Sequence, residues 1–120
     1  MSGKTSRNKG ARGERMLAWA LTEIGLPSSR GGRAGCRDED IEHPIEGVHI
    51  ECKYQAKPSI MQAMVQAQRD AGDKVPIVIS RKVLPIGSKS EPWLVTVRLD
   101  DLHQLATAVS DAHQPGALPI

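Results

Sequence analysis

The stretch from Val48 to Ser80 constrains this chain most, because it reads as strand, helix, strand with almost no slack between them. Val48, Ile50, Cys52 and Tyr54 alternate with His49, Glu51 and Lys53, the two-residue period of a strand. That alternation predicts a half-buried strand, apolar on one face and charged on the other. Pro58 then introduces a helix from about Ser59 to Ala71, with an apolar stripe of Ile60, Ala63, Met64, Ala67 and Ala71 and a stop at Gly72. Ser59 and Gln62 stand at capping-box spacing. Val75–Ser80 follows as a second strand. Two strands joined by a helical crossover pair in parallel, so an α/β architecture is expected.

The flanking segments complete a single domain over residues 9–112. With 120 residues the chain has room for one core and little more. A first helix is predicted from Lys9 to Ile24, with Leu17, Ala20, Leu21 and Ile24 as its buried stripe, stopped by Gly25 and Pro27. Residues 1–8 read as a flexible basic arm, and residues 27–39 as a loop or irregular hairpin edge. A short strand is expected at Asp40–Glu42, a turn at Pro44–Gly47, a strand at Trp93–Arg98 and a last helix over Asp100–Ser110. Residues 113–120 read as a frayed tail. A crossover in the middle and short connections before it predict a mixed sheet flanked by helices.

The formal charge of +2 conceals an asymmetry: residues 1–37 carry a net +6 and the remainder a net −4. A basic N-terminal third attracts a polyanion and releases its counterions on binding, although a solubilising tail would have the same composition. Aromatics are limited to Trp19, Tyr54 and Trp93, so nucleic-acid contacts cannot rest mainly on base stacking. Cys36 and Cys52 fit neither a disulfide framework nor a metal cluster by spacing and read as reduced thiols. No apolar leader or membrane span is visible, which predicts a soluble, cytoplasmic protein.

Chemistry concentrates between Asp40 and Lys53. Glu51 and Lys53 lie two apart on a strand and leave the same face. Asp40 stands at the end of the preceding short strand, a turn away; if those two strands pair, Asp40 and Glu51 can share a hard divalent cation. Mg²⁺ takes one or two protein carboxylates and keeps several waters. The backbone carbonyl of Cys52 offers a further ligand, and Lys53 would orient or deprotonate a water or neutralise a phosphate. These are the parts that metal-assisted phosphodiester hydrolysis needs. Glu14 lies on the apolar stripe of the first helix, where a buried acid needs a partner such as Lys53 or a metal. A position in the first helical turn near solvent would also account for it.

The blocks Lys9-Gly-Ala-Arg-Gly-Glu14, Asp40…His49-Ile-Glu51-Cys-Lys53, Ala63-Met-Val-Gln-Ala-Gln-Arg-Asp-Ala-Gly72 and Pro92-Trp-Leu-Val-Thr-Val97, in this order, resemble the phage and prophage branch of the PD-(D/E)XK nuclease superfamily. Archaeal-type Holliday junction resolvases are more distant relatives in that resemblance. It implies a restriction-endonuclease-like core and Mg²⁺-dependent DNA cleavage, with Mn²⁺ as a substitute. It maps the metal-binding acids to Asp40 and Glu51, the lysine to Lys53, the helix-one acid to Glu14 and an assisting glutamine to Gln66. Glu39 replaces the proline that often precedes the first acid, and Asp38 lies close enough to compete for the metal.

Arg7, Lys9, Arg12 and Arg15 are the expected phosphate contacts, which position DNA without reading sequence. Arg81 and Lys82 end a strand and would suit the same role, or a solvated strand end. His43 and His49 are not at zinc spacing with the cysteines, and His49 reads as a plain surface histidine or, sharing the polar face with Glu51 and Lys53, as one that borders the site. The expected substrate is branched or duplex DNA, and a junction resolvase would act as a homodimer with two active sites. A catalytically inactive DNA-binding module on the same fold, or an adaptor whose basic arm binds an acidic protein, would share much of this sequence pattern.

Overall fold

The computed structural model describes residues 3–31, 41–89 and 91–114, with side chains from Gly10 onward. The elements in chain order are α1 (Gly3–Glu23), β1 (Ser29–Arg30), β2 (Ile41–Glu42), β3 (Val48–Gln55), α2 (Ile60–Ala71), β4 (Val75–Lys82), β5 (Leu94–Val97), a 3₁₀ turn at Leu99–Asp101 and α3 (Leu102–Ala112). Helix α1 begins at Gly3 rather than Lys9. Once a packed segment has nucleated a helix, each further residue adds a hydrogen bond without needing an apolar stripe.

The crossover forms as expected. β3 and β4 pair in parallel over their full length, from Val48 opposite Val75 to Gln55 opposite Lys82, and β5 adds antiparallel to β4. The result is a mixed sheet in the order β3-β4-β5, plus a small antiparallel pair, β1-β2. β2 therefore pairs with β1, with Arg30 opposite Ile41, and not with β3. The turn through Pro44–Gly47 carries the chain away from a hairpin with β3.

Helices cover both faces of the sheet. On one face Leu17, Ala18 and Leu21 of α1 and Leu105 and Ala112 of α3 pack with Val48, Ile50, Val75, Ile77 and Ile79. On the other, Ala63, Met64 and Ala67 of α2 close over Val78. A strand covered on both sides has no solvated face, so the first four residues of β3 are all buried and the strand is not half-buried. The chain is an α/β fold with a mixed sheet between helices.

Two glycines set the position of α1. A Cβ at Gly13 would stand 2.5 Å from Tyr54 Cβ, so the bare backbone lets α1 approach β3 more closely than any side chain allows. Gly25 ends the helix with φ of +92°, a conformation open to glycine. Ile24 falls outside the helix and is 61% exposed; Ala18 takes its place in the stripe. The chain returns to this corner at its other end: the Gln114 amide donates to the Gly25 carbonyl at 2.9 Å. Residues 113 and 114 are therefore docked, not frayed. Ser59 is the N-cap of α2 but makes no side-chain cap hydrogen bond, so the expected capping box does not form.

Candidate metal and active site

The polar face of β3 carries His49, Glu51 and Lys53 beneath α2. Strand alternation puts all three on the side occupied by Ala63, Met64 and Ala67, opposite the face where Cys52 packs into the larger core. The apolar packing of α2 against Val78 shields the inner end of this row. Glu51 is only 4% exposed and His49 only 5%, whereas Lys53 reaches partly into solvent. His49 is thus a buried residue and not a surface histidine.

Each Glu51 oxygen faces one basic group. Oε1 lies 3.7 Å from His49 Nε2, and Oε2 lies 3.6 Å from Lys53 Nζ. A carboxylate removed from water costs several kcal/mol unless it is compensated, and these two groups flank it. Neither separation is short enough for a hydrogen bond. Lys53 Nζ also donates to Gln66 Oε1 at 3.4 Å, which joins α2 to the end of the row. Gln66, the glutamine singled out by the resemblance, therefore meets Lys53.

One turn further along α2, Asp70 completes a group that the sequence reading did not include. Ligand atoms of His49, Glu51 and Asp70 all lie within 4.8 Å of one another, with Asp70 on the exposed side. An imidazole and two carboxylates at that spacing could hold a metal ion. The signal for Asp70 is its i+4 spacing from Gln66, which sets both on the same flank of α2. Its relation to Glu51 exists only once α2 lies on β3.

The remaining expected residues divide sharply. Glu14 is held by Arg30, whose Nε donates to Glu14 Oε1 at 3.0 Å. It sits well inside α1, which starts at Gly3, so a place in the first turn does not explain it. Arg81 Nε donates to the Glu91 carbonyl at 2.8 Å, and its guanidinium lies 5.6 Å from the centre of the Trp93 ring. That stack, extended by Tyr54 at 6.1 Å from Trp93, fixes the β4–β5 connection. Arg81 therefore has a packing role, whereas Lys82 is exposed at the strand end. Arg12 and Arg15 are exposed on α1. Asp38, Glu39, Asp40 and Cys36 lie outside the described residues, as do the side chains of Arg7 and Lys9.

Among the described residues no helix is long and apolar enough to cross a membrane. Comparison with known proteins finds no matching family model, no matching curated protein and no matching solved structure.

Proposed function

We propose that this chain is a metal-dependent endonuclease that hydrolyses phosphodiester bonds in DNA on a restriction-endonuclease-like core. The observation that carries the reading is the buried Glu51 carboxylate with Lys53 Nζ 3.6 Å away on the same strand face. A carboxylate kept dry beside an ammonium that reaches solvent is expensive as architecture and useful as a site. The donor chemistry around it suits a divalent ion.

Glu51 would hold the ion, with Asp40 as the second acid implied by the sequence resemblance and the Cys52 carbonyl, between Glu51 and Lys53, as a further ligand. A bound Mg²⁺ or Mn²⁺ stabilises charge on a phosphate and lowers the pKa of a water. Lys53 is placed to orient that water or to neutralise the phosphate, and its bond to Gln66 restrains the otherwise flexible ammonium. The partial exposure of Lys53 gives a phosphate access to it. Arg12 and Arg15, exposed on the basic first helix, would supply non-specific phosphate contacts. We assign branched DNA, such as a four-way junction, as the preferred substrate and a homodimer as the acting form.

The test is cleavage of labelled four-way junction, flap, single-stranded and duplex DNA with Mg²⁺ or Mn²⁺. Glu51→Gln and Lys53→Ala are each expected to slow cutting by more than about 100-fold, roughly 2.7 kcal/mol, while DNA binding persists. Absence of cutting by a folded protein that still binds DNA would replace this reading with that of an inactive DNA-binding module.

A further inference from the structure

We infer that His49 and Asp70 join Glu51 in one metal site that selects a first-row transition-metal dication over Mg²⁺. The inference rests on the proposed function for the use of Glu51 as a ligand, and it adds two ligands that neither the motif spacing nor the resemblance supplies.

Three observations converge. The first is separation. An ion bound at about 2.0–2.2 Å holds neighbouring nitrogen and oxygen ligands roughly 3–3.7 Å apart. His49 Nε2 and Glu51 Oε1 stand 3.7 Å apart, too far for a good hydrogen bond and at the upper end of that range. The second is position. Buried His49 and Glu51 sit two residues apart on one rigid strand, while Asp70 enters from α2 on the solvent side, all three within 4.8 Å. Asp70 is the exposed member of the group, so its side chain is the one not held by the core.

The third is donor type. Mg²⁺ prefers oxygen ligands and keeps its waters, so a site built on an imidazole is poorly matched to it. Imidazole with two carboxylates suits Mn²⁺ and the later divalent ions of that row. Three protein ligands, one of them exposed, would leave the ion's remaining positions to waters or a phosphate oxygen. Cation selection at this site would then be set by His49, while the two carboxylates supply the charge.

The experiment is a titration of the full chain with Mn²⁺, followed by electron paramagnetic resonance of the unbound ion, with Mg²⁺ as competitor. The wild type should bind Mn²⁺ at least tenfold more tightly than Mg²⁺. Asp70→Ala, a change on an exposed helical position, should weaken Mn²⁺ binding at least tenfold. His49→Ala should remove most of the preference over Mg²⁺. Circular dichroism establishes that each variant is folded, and Asp70→Ala decides the matter if His49→Ala does not fold. Unchanged Mn²⁺ affinity in Asp70→Ala, no preference over Mg²⁺, or no binding at all would overturn this ligand set. Unchanged affinity with metal-dependent DNA cleavage intact would leave the nuclease proposal standing. Mn²⁺ bound through these residues without cleavage of any DNA would do the reverse.

Discussion

Alanine at Gly13 provides a demanding test of the packing that positions α1. In an exposed helix interior, glycine to alanine stabilises by about 0.5–1 kcal/mol, because alanine loses less backbone entropy on folding. Gly10 is such a position, with nothing within 4 Å of a Cβ built there. At Gly13 the added methyl would lie 2.5, 3.1 and 3.3 Å from Tyr54 Cβ, Cγ and Cδ2. The 2.5 Å contact is with the Cβ of a residue on β3, so rotating the Tyr54 ring cannot relieve it. Either α1 or β3 must move by about 1 Å to reach ordinary van der Waals separation. Forcing one extra methyl group into a packed site costs about 1–3 kcal/mol. Set against the helical gain, Gly13→Ala should destabilise by a net ~0–2.5 kcal/mol, centred on about 1 kcal/mol. Gly10→Ala should stabilise by up to ~1 kcal/mol.

Urea denaturation read by far-UV circular dichroism measures both. The two alanines, three residues apart on one helix, should shift the midpoint in opposite directions. On the thermal scale the gap should reach several degrees, at roughly 4 °C per kcal/mol for a domain of this size. A Gly13→Ala protein as stable as Gly10→Ala would refute the close approach of α1 to β3. The comparison holds helix propensity constant, so the difference reports tertiary packing alone.

Other outcomes test neighbouring parts of the argument. Ala67, fully buried where α2 packs on Val78, should not accept a larger side chain: Ala67→Leu is expected to cost about 1–3 kcal/mol, checked by the same denaturation, and a neutral result would show that α2 does not seat on the sheet as described. For DNA binding, Arg12→Ala and Arg15→Ala should each lower the slope of log affinity against log salt by about one if each residue contacts a phosphate. Fluorescence anisotropy at several salt concentrations gives that slope, and an unchanged value would remove the exposed face of α1 from the interface.

Much of the frame was legible from local pattern. The period-two alternation of Val48–Tyr54, the apolar stripe from Ile60 to Ala71 and the strand at Val75 each report backbone state through side-chain spacing. Short-range chemistry therefore predicted the parallel β3–β4 crossover and the α/β class. The same spacing put Glu51 and Lys53 on one face, because residues two apart on a strand cannot do otherwise. The meeting of Lys53 with Gln66 required only that α2 cover that face.

Other features depend on how the elements pack, and periodicity is blind to that. His49 alternates with apolar residues and so resembles a solvent-facing position. It is buried because α2 closes the second face of the sheet. Glu14 is held by Arg30, sixteen residues on, through the β1–β2 pair that places Arg30 beside α1. Arg81 looks like a free basic strand end until Trp93, brought alongside by β5, takes its guanidinium. Asp70 is a polar residue on an amphipathic helix by sequence alone, and a candidate ligand only beside Glu51 and His49. Local sequence determined which residues share a face, since one strand or helix fixes that geometry. Tertiary structure decided which faces meet, because burial and ligand sets arise from the packing of elements distant in the chain.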